Sequence, residues 1–266
     1  MLRKPAVAGQ FYPGDPQKLK AFIETFSPPL TARLPALAII VPHAGYVYSG
    51  MVAAETFARA IIPETAIILG PNHHGLGDSL AVTTSGRWQI PGAELEIDSA
   101  LGRHLLDDSP LFSADILAHT HEHSLEVQVP FLHYHGAKRI LPICASFLSY
   151  DLCLQAGEAL ARTIKSAKRP VLLIASTDMT HYESRAAASR KDHLALSHVQ
   201  SLDPEGLYRT VVTQRISMCG IIPTTITLVA AKRLGATRVT LVRYTDSGEV
   251  SGDTDQVVGY AGLIVS

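Results

Sequence analysis

Four short apolar runs, each stopped by a turn that delivers a titratable side chain, constrain this chain more than any other feature. The clearest is Ile67–Gly75, Ile-Ile-Leu-Gly-Pro-Asn-His-His-Gly, where an apolar stretch bounded by Gly and Pro ends in two adjacent histidines. Runs of that length read as interior strands, and in open α/β sheets ligands collect just beyond the carboxyl ends of strands. Ala38–Val41 leads likewise into Pro42-His43-Ala44-Gly45-Tyr46. Val171–Ala175 leads into Ser176-Thr177-Asp178-Met179-Thr180-His181-Tyr182, and Val239–Arg243 into Tyr244-Thr245-Asp246. The four exits are expected to share one rim.

Helical patterns lie between these runs. They cover Pro16–Phe26 behind Asp15 as N-cap, Met51–Ile61, residues 98–108, Asp151–Ser166, Ser184–Ser201 and Pro204–Gln214. Another opens near Cys219-Gly220-Ile221-Ile222-Pro223, where proline suits a first helical turn. Further strands are expected at Leu80–Thr84, Lys138–Phe147 and Val257–Val265, the last reached through a Ser247-Gly248 turn. Ala118–Leu132 reads as a loop entering a helix, and Pro28, Pro29 and Pro35 mark a short linker. Strands alternating with helices predict an α/β fold with a mostly parallel central sheet flanked by helices on both faces. A length of 266 residues suits one such domain.

Charge narrows the partners. With 23 basic and 24 acidic residues the chain has no field for capturing a nucleic-acid backbone or an anionic membrane, so a small molecule, peptide or protein is the expected partner. The N-terminal Met1-Leu2-Arg3-Lys4-Pro5 lacks the apolar core of a signal peptide, and no apolar run approaches the ~20 residues that span a bilayer. A cytoplasmic location follows as an expectation. Cys144, Cys153 and Cys219 make a poor disulfide framework and read as reduced thiols. Gly75-Leu76-Gly77 is only a fragment of a dinucleotide fingerprint, and no phosphate-binding P-loop is present.

The titratable residues suggest a metal site. Neutral imidazole is a common ligand for zinc, copper and iron, and His43 and His73 at rigid strand exits could supply two of three protein ligands. His74 points away from its neighbour in an extended backbone and is read as a supporting group. Cys219 is the candidate third ligand, because a thiol at a helix N-terminus is expected to have a depressed pKa. Asp178 and His181, three residues apart after a strand, suit a general acid/base pair, although Asp178 could instead cap a helix. Glu122, His123 and Glu126 are expected to orient the ligating imidazoles, which usually donate their second nitrogen proton to an acceptor. His119–His123 also matches the H-x-x-E-H pattern, which leaves a zinc hydrolase built on His119, His121 and His123 as an alternative. The competing structural readings are hydrogen-bonding histidines and an inert, buried Cys219, the fate expected for Cys144.

Ala8-Gly9-Gln10-Phe11-Tyr12-Pro13, Pro42-His43-Ala44-Gly45-Tyr46, Leu69-Gly70-Pro71-Asn72-His73-His74, Glu122-His123-Ser124-Leu125-Glu126, Ser176-Thr177-Asp178 with His181, and Cys219-Gly220 together resemble the signature segments of the Memo family. Its prokaryotic members are called AmmeMemoRadiSam system protein B. The resemblance runs from residue 8 to the C-terminus and implies a fold like that of class III extradiol dioxygenases. It implies one metal ion held by His43, His73 and Cys219, with His181 matching the dioxygenases' acid/base histidine and Asp178 beside it. A thiolate in place of a hard carboxylate moves such a site toward Cu(I), zinc or thiolate-ligated iron, and iron or copper is placed ahead of zinc. The implied function is that of a redox-active metalloenzyme or metal handler; the alternative is a non-catalytic peptide- or protein-binding module using the old cleft. The prokaryotic name implies a radical-enzyme partner. After Cys219-Gly220 this chain has Ile221-Ile222-Pro223 where animal members carry Arg-His-Pro, so a basic group is missing from the pocket mouth.

Overall fold

In the computed structural model, which describes residues 1–27 and 32–266, the apolar runs are strands, three of them buried on both faces and the fourth, Val239–Arg243, half-buried. Ala38–Val41 (β1), Thr65–Pro71 (β2), Arg139–Ala145 (β3) and Leu172–Ser176 (β4) lie parallel in the order β3-β2-β4-β1. Val239–Asp246 (β5) and Val257–Val265 (β6) extend the sheet, β6 running antiparallel to both β1 and β5. The register sets the parallel strand ends level: Val41 lies opposite Ser176, and Leu69 opposite Ala175. Their exits therefore open on one edge, as the strand grammar requires.

Side chains alternate across each strand, and both faces are covered by helices, the arrangement that makes such strands read as continuous apolar runs. The helices are α1 (Pro16–Phe26), α2 (Met51–Arg59), α3 (Ser99–Asp108), α4 (Val129–Tyr134), α5 (Tyr150–Ser166), α6 (Arg185–Gln200), α7 (Pro204–Thr213) and α8 (Ile221–Leu234). Ile39, Val41, Ile68, Ile140 and Ile174 join Leu19 and Ile23 of α1, Phe57 of α2 and Phe131 of α4. Ile40, Ile67, Leu69, Leu141 and Leu173 join Leu105 of α3, Leu160 of α5, Leu196 of α6, Leu207 of α7 and Ile226 of α8. The mostly parallel α/β sheet with helices on both faces is thus the architecture the sequence predicts.

Several boundaries differ for local reasons. The helix after His43 is entered through a π-helical turn, Tyr46–Gly50, and ends at Arg59, where the backbone turns to pair with Leu34. A hairpin of Arg87–Ile90 and Ala93–Ile97 was not anticipated, although Trp88, Ile90, Leu95 and Ile97 alternate with polar residues across Pro91-Gly92. The turn after β5 contains a short helix, Gly248–Ser251. Of the expected linker, Pro28 and Pro29 lie outside the described residues. The fourth exit reaches the same end of the sheet but is taken up by structure: Asp246 pairs with Arg185, and Tyr244 donates to Asp192 at 2.8 Å.

Helices α5 and α8 pack tightly at Gly157 of α5, where a Cβ would lie 2.6 Å from Cβ of Val229 on α8. Overpacking of that kind costs roughly 1–3 kcal/mol, against a helix-propensity gain of about 1 kcal/mol. Gly157→Ala should therefore lower the urea midpoint. An unchanged or higher midpoint would show that α5 and α8 can separate freely.

Candidate metal centre

His43 leaves β1 nearly fully buried, and its backbone N–H and both ring nitrogens face defined partners. Its backbone N–H donates to Oδ1 of Asp178 at 2.7 Å, and Ala44 N–H donates to the same oxygen at 3.3 Å. Its Nδ1 lies 3.0 Å from Oγ of Ser176. The Ser176 hydroxyl donates to the carbonyl of Ser124 at 2.6 Å and accepts from Nε2 of Gln128 at 2.9 Å. With its one proton directed to a carbonyl, Ser176 can only accept from His43. Nδ1 therefore carries the hydrogen and Nε2 the lone pair. Burial, reinforced by His73 and His123, holds the His43 pKa well below 6.5, so the ring is neutral.

His73 at the β2 exit is pinned in the same manner by Glu122. Its backbone N–H donates to Oε2 at 2.7 Å and its Nδ1 faces Oε1 at 2.9 Å. Oε1 also accepts Ser124 N–H at 2.9 Å and lies 3.3 Å from Nδ1 of His123. Burial alone would raise the Glu122 pKa, but the hydrogen bonds from His73 and Ser124, with the His73 charge, outweigh it and hold the carboxyl well below its usual range. The loop approaches closely because residue 70 is glycine: a Cβ there would lie 2.5 Å from Ser124 Oγ. Donor atoms of His43, His73 and His123 lie within 4.8 Å of one another, and ring centroids are 4.6 to 5.5 Å apart. His123, expected only to orient its neighbours, is thus a third imidazole on the common hollow. Burial pushes its pKa down to about 4, which favours the ligand form.

The start of α8 is pressed against the β4 exit. Gly220 N–H donates to Thr177 Oγ1 at 3.0 Å, and a Cβ on Gly220 would lie 2.5 Å from the Ser176 carbonyl oxygen. This puts Cys219 Sγ 3.2 Å from Nε2 of His43 and 3.2 Å from the backbone N–H of Asp178, which donates to it. The expected depression of the thiol pKa is not found. Burial and the Asp178 charge push it up and outweigh the donors around the sulfur, so the free site holds a thiol. The next helix, α6, is capped by Ser184, so Asp178 caps no following helix; His181 instead opens a short strand, His181–Glu183, on β6. Its Nδ1–H donates to the carbonyl of Ser217 at 2.9 Å, which leaves Nε2 with a lone pair in the neutral ring. His181 is close enough for its charge to act on both His43 and Asp178.

Other expected residues are used differently. Glu126 touches none of the imidazoles through a hydrogen bond; it accepts from Arg3, Ala6, Val7 and Tyr12, because the 3₁₀ turn Glu126–Gln128 aims it at the N-terminal arm. His74 is exposed, with Nε2 3.1 Å from the carbonyl of His121. A second grouping of His74, Glu122 and His123 also falls within 4.8 Å, but Glu122 already serves His73 and Ser124. The hydrolase trio does not form: His119 is buried with Nε2 on the Ala81 carbonyl at 3.0 Å, edge-on to Trp88. Cys144 is buried in β3 with its thiol pKa pushed up by burial. Ser176 and Gln128, which set the His43 tautomer, carry no signal of their own in the sequence beyond their places, one inside the Ser176-Thr177-Asp178 segment and the other two residues after Glu126.

The Memo-like protein family matches residues 3–264. A MEMO1 family protein from Methanopyrus kandleri is 42% identical over 283 residues, covering 99% of this chain and 99% of its own. A MEMO1 family protein from Aquifex aeolicus is 40% identical, covering 99% of this chain and 98% of its own. Among solved structures, an uncharacterized protein from Escherichia coli K12 superposes with a TM-score of 0.59 over 85% of this chain and 98% of its own. At 12% identity that likeness is one of fold alone.

Burial raises the Asp178 pKa from 3.8 to about 6. For an acid whose folded value lies above its unfolded one, the unfavourable contribution is absent below about pH 3.8, grows through the interval and is complete above about pH 6. Asp178→Asn keeps an acceptor for His43 and Ala44. In chelator-treated protein it should exceed wild-type stability at pH 8 by roughly 1–3 kcal/mol, the gain vanishing by pH 4. Denaturation at both pH values checks this; a variant less stable at pH 8 would show that the ionised carboxylate is favoured in the fold.

Proposed function

The chain belongs to the Memo-like protein family, and from that premise we propose that it binds one metal ion and acts as a redox-active metalloenzyme or metal handler. The observation that carries this reading is the convergence of His43, His73 and His123 donor atoms to within 4.8 Å; the Cys219 sulfur of the expected ligand set is not in that group but lies 3.2 Å from Nε2 of His43. His43 and His73 form the fixed pair, Cys219 adds a thiolate and His123 a further nitrogen. The donors fit such an ion chemically. The Nδ1 atoms of His43 and His73 are each hydrogen-bonded, which leaves Nε2 as the ligating position, while Nδ1 of His123 lies 3.3 Å from the Glu122 carboxylate. A thiolate among imidazoles suits copper or iron, with zinc behind them, and the bound ion supplies Lewis-acid or electron-transfer chemistry.

The residues around the ion have separable tasks. Ser176, anchored by Gln128 and Ser124, holds the His43 ring with its lone pair presented. Glu122 does the same for His73 and keeps its ring from rotating. The His73 side chain is 31% exposed, so a small substrate can approach from that side without the site having to open. His181, with Nε2 free as a base, accepts or returns a proton, and Asp178 orients the strand exit through its bonds to His43 and Ala44. The site is buried on the His43 side and open on the His73 side, a polarity that suits one face for holding and one for exchange.

Protonation states make the reading testable. His43 and His123, held neutral by burial, bind without losing a proton, whereas the Cys219 thiol must lose one to ligate. Titration of chelator-treated protein at pH 7 should give one ion per chain and release about one proton, measured by calorimetry in buffers of different ionisation enthalpy. Cys219→Ser should release none and bind more weakly, and His43→Ala or His73→Ala should lose stoichiometric binding. Binding that survives His43→Ala combined with Cys219→Ser would place the ion elsewhere and end this reading.

A further inference from the structure

The N-terminal arm contributes no donor to the hollow, yet its polar contacts converge on the loop that does. Arg3 sits in a two-residue strand, Leu2–Arg3, paired with Arg87–Ile90, and its guanidinium lies 4.2 Å over the Trp88 ring. Nε and Nη2 donate to the carbonyl of His119 at 3.2 and 3.0 Å, Nη2 also donates to the carbonyl of Glu122 at 2.9 Å, and Nη1 pairs with the Glu126 carboxylate. One planar group thus spans residues 119 to 126. Glu126, fully buried, accepts Ala6 N–H at 2.8 Å, Val7 N–H at 3.0 Å and the Tyr12 hydroxyl at 2.7 Å. Farther along the arm, the Phe11 ring lies 4.7 Å from the His123 ring, and the Phe11 carbonyl accepts Tyr46 N–H at 2.7 Å.

We infer that Arg3 is a positioning residue for the candidate metal centre, acting through the Glu122 backbone to set the carboxylate that orients His73 and His123. A cation was needed only to balance the buried Glu126, and a lysine would do that. Of the remaining guanidinium hydrogens, those on Nε and Nη2 go to two backbone carbonyls of the donor loop and one on Nη1 goes to the carbonyl of Lys4, a task that requires the rigid fork of arginine. Fixing the carbonyl of Glu122 fixes the direction in which its side chain leaves, and with it the Nδ1 contacts of the two imidazoles. The coupling is reciprocal, so an ion held by those imidazoles tightens the arm by the same factor by which the arm tightens the ion.

This inference rests on the metal reading, and Co(II) alone serves as the probe that separates the two. Arg3→Ala strands the Glu126 charge and can fail to fold, so Arg3→Lys is the deciding variant: it keeps the charge and loses the fork. The expected result is a 10- to 100-fold weaker Co(II) affinity, the usual size of an outer-shell effect, with a changed d–d absorption spectrum of the bound ion. In the unaltered protein, Co(II) should also slow amide exchange of Val7, and this effect should shrink in Arg3→Lys. Wild-type affinity and spectrum in Arg3→Lys overturn the inference alone. An affinity loss with an unchanged spectrum makes Arg3 a structural residue only and also overturns it. Failure of the unaltered protein to bind Co(II) overturns the metal reading and this inference together.

Discussion

Two buried carboxylates hold the strand exits in place. Asp178 accepts the backbone N–H of His43, and Glu122 accepts the backbone N–H of His73, so each histidine is fixed by a side chain from a distant segment before its ring makes any contact. A strand exit is where regular backbone pairing stops, and its N–H groups need acceptors if they are buried. The chain supplies charged ones. Removing either carboxylate would leave buried donors unpaired in the region where the imidazoles meet.

The two carboxylates are shifted in opposite directions by their surroundings. Glu122 collects enough donors to overcome its burial and stays ionised, while Asp178 is shifted toward the neutral form by burial that its bonds from His43 and Ala44 only partly offset. The same burial keeps His43 and His123 neutral and Cys219 protonated. Neutral imidazoles need no proton loss to ligate, and a thiol can exchange its proton for an ion. The low-dielectric hollow thus stores ligands in a form that a cation can take up. The helix start at Cys219 was expected to favour the thiolate, but a partial helix charge is a small effect beside full desolvation and a neighbouring carboxylate.

The departures within the 122–126 cluster share one cause. Glu122, His123 and Glu126 lie within five residues, yet they face three directions because the backbone passes from an irregular loop into a 3₁₀ turn. Their spacing identifies a dense titratable cluster without specifying which member faces which neighbour. Glu126 went to Arg3 and the N-terminal arm, His123 to the hollow, and Glu122 to the bridge between His73 and His123. The hairpin at 87–97 was overlooked for a different reason: its period-2 pattern is plain, but it is short and sits outside the alternating strand and helix rhythm.

Local patterning by itself determined the strands, the helices on both faces and the identity of the side chains left at the strand exits. Apolar runs buried on both faces, broken by Gly and Pro, have few other solutions, and parallel strands must release their ends on one edge. Only the tertiary structure decided which residues meet: that Ser176 sets the His43 tautomer, that Cys219 reaches Nε2 of that ring, and that Arg3 reaches across to the donor loop. Those contacts join residues more than a hundred positions apart. They depend on strand register and helix approach to within an ångström, a quantity to which the periodicity of a sequence is blind.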